Sequence, residues 1–153
     1  MQKKNLPPNY LVDVLALTLL LLSLFLYYVF YPIPLIVAPY NYIGILFVVF
    51  GFLMVTYTNA LLKTNKTTIQ TYDTPNKFVT TGFFEMSRNP IYLGITFILL
   101  GTAIFFGSIF TFLSVMIFVI LLDWFVIPFE EKTLQKVFGK QYLQYKIHVR
   151  RWI

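Results

Sequence analysis

Residues 91–127 read IYLGITFILLGTAIFFGSIFTFLSVMIFVILLDWFVI, and this stretch decides the fold. It contains a single charged residue, Asp123, and its apolar run is broken only at Gly107-Ser108. A helix that crosses the hydrocarbon core of a bilayer needs about 20 mostly apolar residues. The stretch therefore divides at the glycine into two spans, 91–106 and 109–127, joined by a tight turn as a helical hairpin. Upstream lie two more apolar runs, 11–31 with the lone charge Asp13 near its start and 42–62. Pro32, Pro34 and Pro39 separate them, because proline lacks the amide donor and clashes with the preceding helical turn. The run at 11–31 is too long for the apolar region of a signal peptide, and no small-residue cleavage site follows it.

Composition agrees with this count. Of the 153 residues 58% are hydrophobic and 12% charged, about half the charged share of an ordinary soluble domain. A water-soluble core is excluded, and four spans leave only about 70 residues for loops and ends, too few for a large extramembrane domain. The chain has no cysteine, which removes disulfides and thiolate chemistry, and its one histidine, His148, cannot form a zinc site alone. No metal site is expected. The net charge of +6 flanks apolar segments and forms no basic, aromatic-interleaved surface, so it points to membrane orientation and not to nucleic acid.

Pro128 is expected to close the last span, and after it the pattern changes. From Glu130 to Val149, Leu134, Phe138, Tyr142, Tyr145 and Val149 recur at steps of three or four, with Lys132, Lys136 and Lys140 on another face. This predicts one amphipathic helix lying along the membrane surface, its lysines toward water and anionic headgroups. The fold class is thus an all-α integral membrane protein, a single membrane domain over 1–153 with about four transmembrane helices and a C-terminal amphipathic interfacial helix. Charge sets the orientation. Lys3, Lys4, Lys63, Lys66, Lys77, Arg88 and the basic residues from Lys132 to Arg151 fall on one side of the four spans, while the loops 32–41 and 107–108 carry no charge. By the positive-inside rule both termini and the 63–89 loop face the cytoplasm, and the expected place is a bacterial inner membrane. Gly44 with Gly51, and Gly94 with Gly101, each stand about two turns apart on one helix face, which predicts close helix packing.

Polar side chains gather in two cytoplasmic segments, 75–94 and 129–153. Singly, each residue has a plain structural reading. Asn89 before Pro90 suits a helix start, Arg88 can reach the headgroups, and Tyr92 can belong to the interfacial aromatic belt. Glu130 and Glu131 can complement a helix dipole. Asp123 inside a span is expected to pair with Arg88 or a lysine, or to face an acceptor cavity. Asp13 is shallower and reaches water.

Taken in order, Gly82, Arg88-Asn89-Pro90-Ile91-Tyr92-Leu93-Gly94, a short helical hairpin, Glu130-Glu131-Lys132-Thr133-Leu134, Phe138-Gly139, Tyr142, Tyr145 and Val149-Arg150-Arg151-Trp152-Ile153 resemble the membrane methyltransferase superfamily. Its members include the isoprenylcysteine carboxyl methyltransferases and the phospholipid N-methyltransferases. The resemblance covers about residues 75–153. It implies S-adenosyl-L-methionine as methyl donor, bound by the two cytoplasmic segments through Gly82, Arg88, Asn89, Pro90, Tyr92, Gly94, Glu130, Glu131, Tyr142 and Tyr145, with Glu131 and Arg150 in catalytic roles. The acceptor it implies is a membrane-partitioned, lipid-like molecule bearing a carboxylate, amine or thiol. Two positions depart from the pattern: Phe83 stands where proline is common, and Asn89 where the prenylcysteine enzymes carry histidine.

The residue types suit such a donor. A glutamate accepts from ribose hydroxyls or an ammonium, an arginine or helix-start amides hold a carboxylate, and Tyr92, Tyr142 or Phe138 offer a face to adenine or the sulfonium. Replacing Glu131 by glutamine is expected to weaken donor binding and leave the fold intact. Two other classes compete: a nicotinamide-dependent membrane reductase, usually a longer chain with more spans, and a small non-catalytic membrane scaffold.

Overall fold

The computed structural model describes residues 10–30, 32–65 and 77–153. Lys3, Lys4, Tyr31, Lys66 and residues 75–76 lie outside these segments. The described residues are helical and contain no strand. In chain order the helices are α1 Tyr10–Phe30, α2 Ile43–Thr64, α3 Pro90–Phe106, α4 Ile109–Leu121, α5 Ile127–Phe138 and α6 Lys140–His148. Short 3-10 turns stand at Tyr40–Tyr42 and Gly82–Glu85.

Three helices are long and apolar enough to cross a membrane: Leu11–Phe30, Tyr40–Thr64 and the continuous run Ile109–Phe138. A fourth, α3, is apolar and has 17 residues, at the lower end of what a span requires. The helices pack through the predicted small residues, and the two glycine pairs meet each other. A Cβ at Gly44 would strike the Gly101 carbonyl, and one at Gly51 the Gly94 carbonyl. The matched seven-residue spacing run in opposite directions makes α2 and α3 an antiparallel pair in backbone contact. Beyond them, α4 packs on α1 and α3 around Phe118, Leu122, Leu99 and Ala103.

At one end the turns close as expected. Gly107 adopts φ +61°, a conformation glycine enters without strain, and its amide donates to Ala103 O, ending α3. The Gly107 carbonyl accepts from Leu35 N at 2.7 Å, and Asn41 Nδ2 donates to Phe105 O at 3.0 Å, so the proline-rich loop caps the hairpin. Ser108 Oγ caps α4 by accepting from Phe110 N.

The other end departs from expectation in two places. Pro128 does not close the last span: α4 runs through a π turn at Leu122–Val126 directly into α5. Proline at 128 has no amide to offer the carbonyl four residues back, and its ring crowds that carbonyl. A widened turn just before it absorbs both problems and lets the helix continue. The 30 residues of Ile109–Phe138 rise about 45 Å against a hydrocarbon core of about 30 Å, so α5 projects beyond the bilayer. The single amphipathic helix expected from Glu130 to Val149 is two helices, broken at Gly139 with φ +51°. That break turns α6 back beneath the start of α3.

Candidate functional site

The two polar segments meet where α3 begins. The backbone there is built by the C-terminal tail. α6 ends at His148, and Val149 is extended at φ −117°, ψ 129°. Arg88 N donates to Arg150 O at 3.0 Å, and both Ser87 Oγ and Asn89 Nδ2 donate to Arg151 O, at 3.2 and 3.0 Å. Asn89 therefore does not cap α3 through its side chain, as its place before Pro90 suggested; it ties the tail down instead. Pro90 keeps the predicted first helical position.

Extended backbone sends alternate side chains to opposite faces, and this decides between the two tail arginines. The side chain of Arg150 points to solvent, and Arg151 turns inward. Arg151 Nη1 lies 2.9 Å from Asp123 Oδ1, and its Nε and Nη2 reach Glu131 Oε1 and Oε2 at 3.1 and 3.2 Å. Trp152 Nε1 donates to the same Asp123 oxygen at 3.1 Å. Asp123 thus pairs with the tail, and not with Arg88 or a lysine. It sits in the π turn, whose offset aims it toward the tail.

Glu131 is the hub. Besides Arg151 it meets Arg88 Nη2 and Lys146 Nζ, each at 3.1 Å, and only 8% of its side chain is exposed. Burial pushes its carboxyl upward, but hydrogen bonds from Arg151 and Lys146 and the charges of Arg88 and Arg151 outweigh this and hold it below the ordinary glutamate range. Arg151 is raised by its hydrogen bonds to Glu131 despite burial. The neighbouring Glu130 points elsewhere: its Oε1 accepts from Tyr92 OH at 2.6 Å.

Arg88 is the unusual member. Its side chain is 9% exposed, and Nε and Nη1 are buried without a hydrogen-bond partner among the described residues. A guanidinium has five donors, and leaving them unmet in a dry site is costly. The ion-pair network joins three cations, Arg88, Lys146 and Arg151, to two carboxylates, Asp123 and Glu131. It has both the surplus positive charge and the idle donors to take one further anion.

The tyrosines are placed differently from expectation. Tyr142 is buried and Tyr145 half-buried, and with Phe138 they surround Phe78, whose ring lies 4.9 Å from Phe138, 6.0 Å from Tyr142 and 5.3 Å from Tyr145. This aromatic cluster fastens the segment before Gly82 to α5 and α6. Tyr145 OH donates to Phe84 O at 2.6 Å, holding the Gly82–Glu85 turn. Burial, reinforced by the Glu131 charge, pushes Tyr142 up to about 12. Gly94 faces α2 and serves packing: a Cβ there would stand 2.9 Å from Gly51 O. Gly82, at φ +66°, likewise faces α2 and not the charged network.

The structure therefore brings Arg88, Asn89, Glu131 and Tyr142 to one place, with Glu130 and Tyr92 beside it. Lys146, Ser87, Asp123, Arg151 and Trp152 join them without having been singled out as site residues. For Asp123, a charge inside a span was the available signal; for Arg151, only the extended tail reveals it.

The model of the phospholipid methyltransferase family matches residues 40–141, which hold α2 to α5 and the adjacent pair Glu130 and Glu131. The chain belongs to the phospholipid methyltransferase family. Methyltransferase activity and a multi-pass membrane setting follow for this family member. An uncharacterized protein of Haemophilus influenzae (strain ATCC 51907 / DSM 11121 / KW20 / Rd) is 38% identical over 63 residues, 41% of this chain and all of the relative. No solved structure matches. Tyr145, Arg151 and Trp152 lie beyond the span matched by the family model.

Proposed function

We propose that this phospholipid methyltransferase family member uses S-adenosyl-L-methionine to methylate a lipid acceptor at the cytoplasmic membrane face, with four spans and both termini cytoplasmic. The observation that carries the reading is Arg88, buried, oriented by Glu131 and left with two idle donor nitrogens in a network short of one anion. An amino-acid carboxylate fits that need. Arg88 holds it, and Glu130, steadied by Tyr92, accepts from the donor's ammonium or ribose hydroxyls. When bound, the donor supplies a methyl carbon already activated by its sulfonium.

The protein's own part is then binding, orientation and exclusion of water. Glu131 acts through others: with its oxygens shared among three cations it positions Arg88 and Arg151, and it is a poor base because its carboxyl is held low. The tail, pinned by Ser87 and Asn89, shuts the site from below. Where the acceptor is an amine, Glu130 is the carboxylate placed to receive its proton.

Calorimetry on the detergent-purified protein tests this. S-adenosylhomocysteine should bind saturably, NADPH should not, and Arg88→Met should reduce the former at least tenfold. Absence of heat with S-adenosylhomocysteine refutes the reading, and saturable NADPH binding would favour a reductase.

A further inference from the structure

The charged network is shut as it stands. Arg88 Nε and Nη1, the nitrogens that would meet an anion, are buried with no partner among the described residues, and Ser87 is fully buried beside them. An anion can reach Arg88 only if a neighbouring segment moves. The segments around the start of α3 differ in what holds them. α5 and α6 are fastened to Phe78 by stacked and edge-to-face rings, and α3 is locked to α2 by backbone contact at the glycines. Residues 149–153 belong to no helix and are held mainly by polar contacts. Arg150 O accepts from Arg88 N, Arg151 O accepts from Ser87 and Asn89, and the side chains of Arg151 and Trp152 reach carboxylates. Water can replace such bonds when they open, whereas lifting a helix would expose packed apolar surface.

We propose that residues 149–153 are a gate over the donor site and that Asp123, carried on the π turn, is its latch. Asp123 is then a positioning residue, acting through Arg151 and Trp152. The proposal rests on the methyltransferase reading for what the gate admits, but not for the latch itself.

One oxygen, Asp123 Oδ1, takes Arg151 Nη1 at 2.9 Å and Trp152 Nε1 at 3.1 Å, so a single group holds two successive tail residues. The Asp123 and Arg151 side chains are 34% and 29% exposed, against 8% for Glu131. Water competes at this outer pair, which is therefore weak enough to break and remake. The half-buried Trp152 ring, packed at the edge of the core, returns the tail to its seat. The inner contacts survive opening: once Arg151 has left, Glu131 still holds Arg88 and Lys146, so the receiving guanidinium stays oriented. Asp123 and Glu131 share the continuous helical run Ile109–Phe138, about two turns apart, which leaves the tail as the moving part.

The chain has no cysteine, so Ser87→Cys supplies a single thiol beneath the tail, close in size to the native hydroxyl. Its rate of modification by methyl methanethiosulfonate, followed by mass spectrometry on the full chain in detergent, reads how often the tail lifts. It should react at least about tenfold more slowly than the thiol of Lys136→Cys on the exposed side of α5. Adding Asp123→Asn should speed the reaction about fivefold, and Trp152→Phe, which keeps a ring and removes the N–H, about threefold. Gly101→Leu, which loosens the helix pair far from the tail, should change the rate by less than about twofold. S-adenosylhomocysteine at ten times its Kd should slow it about tenfold. The proposal is overturned if the Ser87→Cys thiol reacts as fast as that of Lys136→Cys, or if Asp123→Asn leaves the rate unchanged. It is also overturned if Gly101→Leu raises the rate as much as Asp123→Asn, because global unfolding would then be what exposes the thiol. Should Ser87→Cys not fold, hydrogen exchange of the Arg88 amide, which donates to Arg150 O, reads the same opening with serine in place. S-adenosylhomocysteine that binds without slowing the reaction overturns the gate. Absence of its binding refutes the donor reading, and the comparison with Asp123→Asn still decides the latch.

Discussion

Replacing Glu131 by glutamine should destabilise the protein, contrary to what the sequence suggests for a simple cofactor ligand. The substitution keeps shape and one acceptor, but it removes the charge shared by Arg88, Lys146 and Arg151 and turns an amide donor toward them. The three partners do not lose equally. Lys146 is 41% exposed and regains water, and Arg151 retains Asp123 at 2.9 Å. Arg88 is 9% exposed, its Nε and Nη1 are unpaired among the described residues, and the neutral Tyr142 hydroxyl beside it cannot replace the lost charge. Breaking a buried pair by removing one member costs about 3–5 kcal/mol, and the isosteric amide places this case near 3. For a chain of this size that lowers the melting temperature by about 6–12 °C. Lys146→Met, which removes only an exposed pair, should cost at most about 1 kcal/mol, or up to about 4 °C. Thermal unfolding of the detergent-solubilised variants, followed by circular dichroism, gives both values. If Glu131→Gln melts within 2 °C of wild type, or no lower than Lys146→Met, then Glu131 is not the hub of a buried network and the argument fails.

Two more outcomes are expected. Gly101→Leu puts a side chain against the Gly44 carbonyl and Val48 of α2; it should destabilise by about 1–3 kcal/mol in the same unfolding assay, whereas Leu113→Ala on the exposed face of α4 should be near neutral. Because the folded Glu131 is held below its ordinary value near 4.5, its contribution is complete above that pH and is lost as pH falls further. Melting temperature should therefore be flat from pH 7 to 5 and drop below about 4.5, and Glu131→Gln should remove part of that drop.

Much of this molecule is legible in order along the chain. Apolar runs and their proline and glycine breaks give the helices, because in lipid the backbone must satisfy itself within each segment. Glycines seven apart give the face of closest approach, since only a missing side chain lets backbones touch. The motif residues Arg88, Glu130 and Glu131 were also legible, through resemblance, as belonging to one place.

What the sequence by itself could not determine is which polar group meets which. Glu130 and Glu131 are adjacent, yet consecutive positions on a helix point about 100° apart, so one meets Tyr92 and the other three cations. Arg150 and Arg151 are adjacent, yet extended backbone turns one to solvent and the other to Glu131. Pro128 looks like a stop, yet a π turn absorbs it, and Asp123 within that turn reaches the tail. Each outcome depends on contacts between residues far apart in the chain, whose distances are set only when α3, α5 and the tail pack together. Helices and their membrane setting follow from local composition; the pairing of charges follows from the tertiary fold.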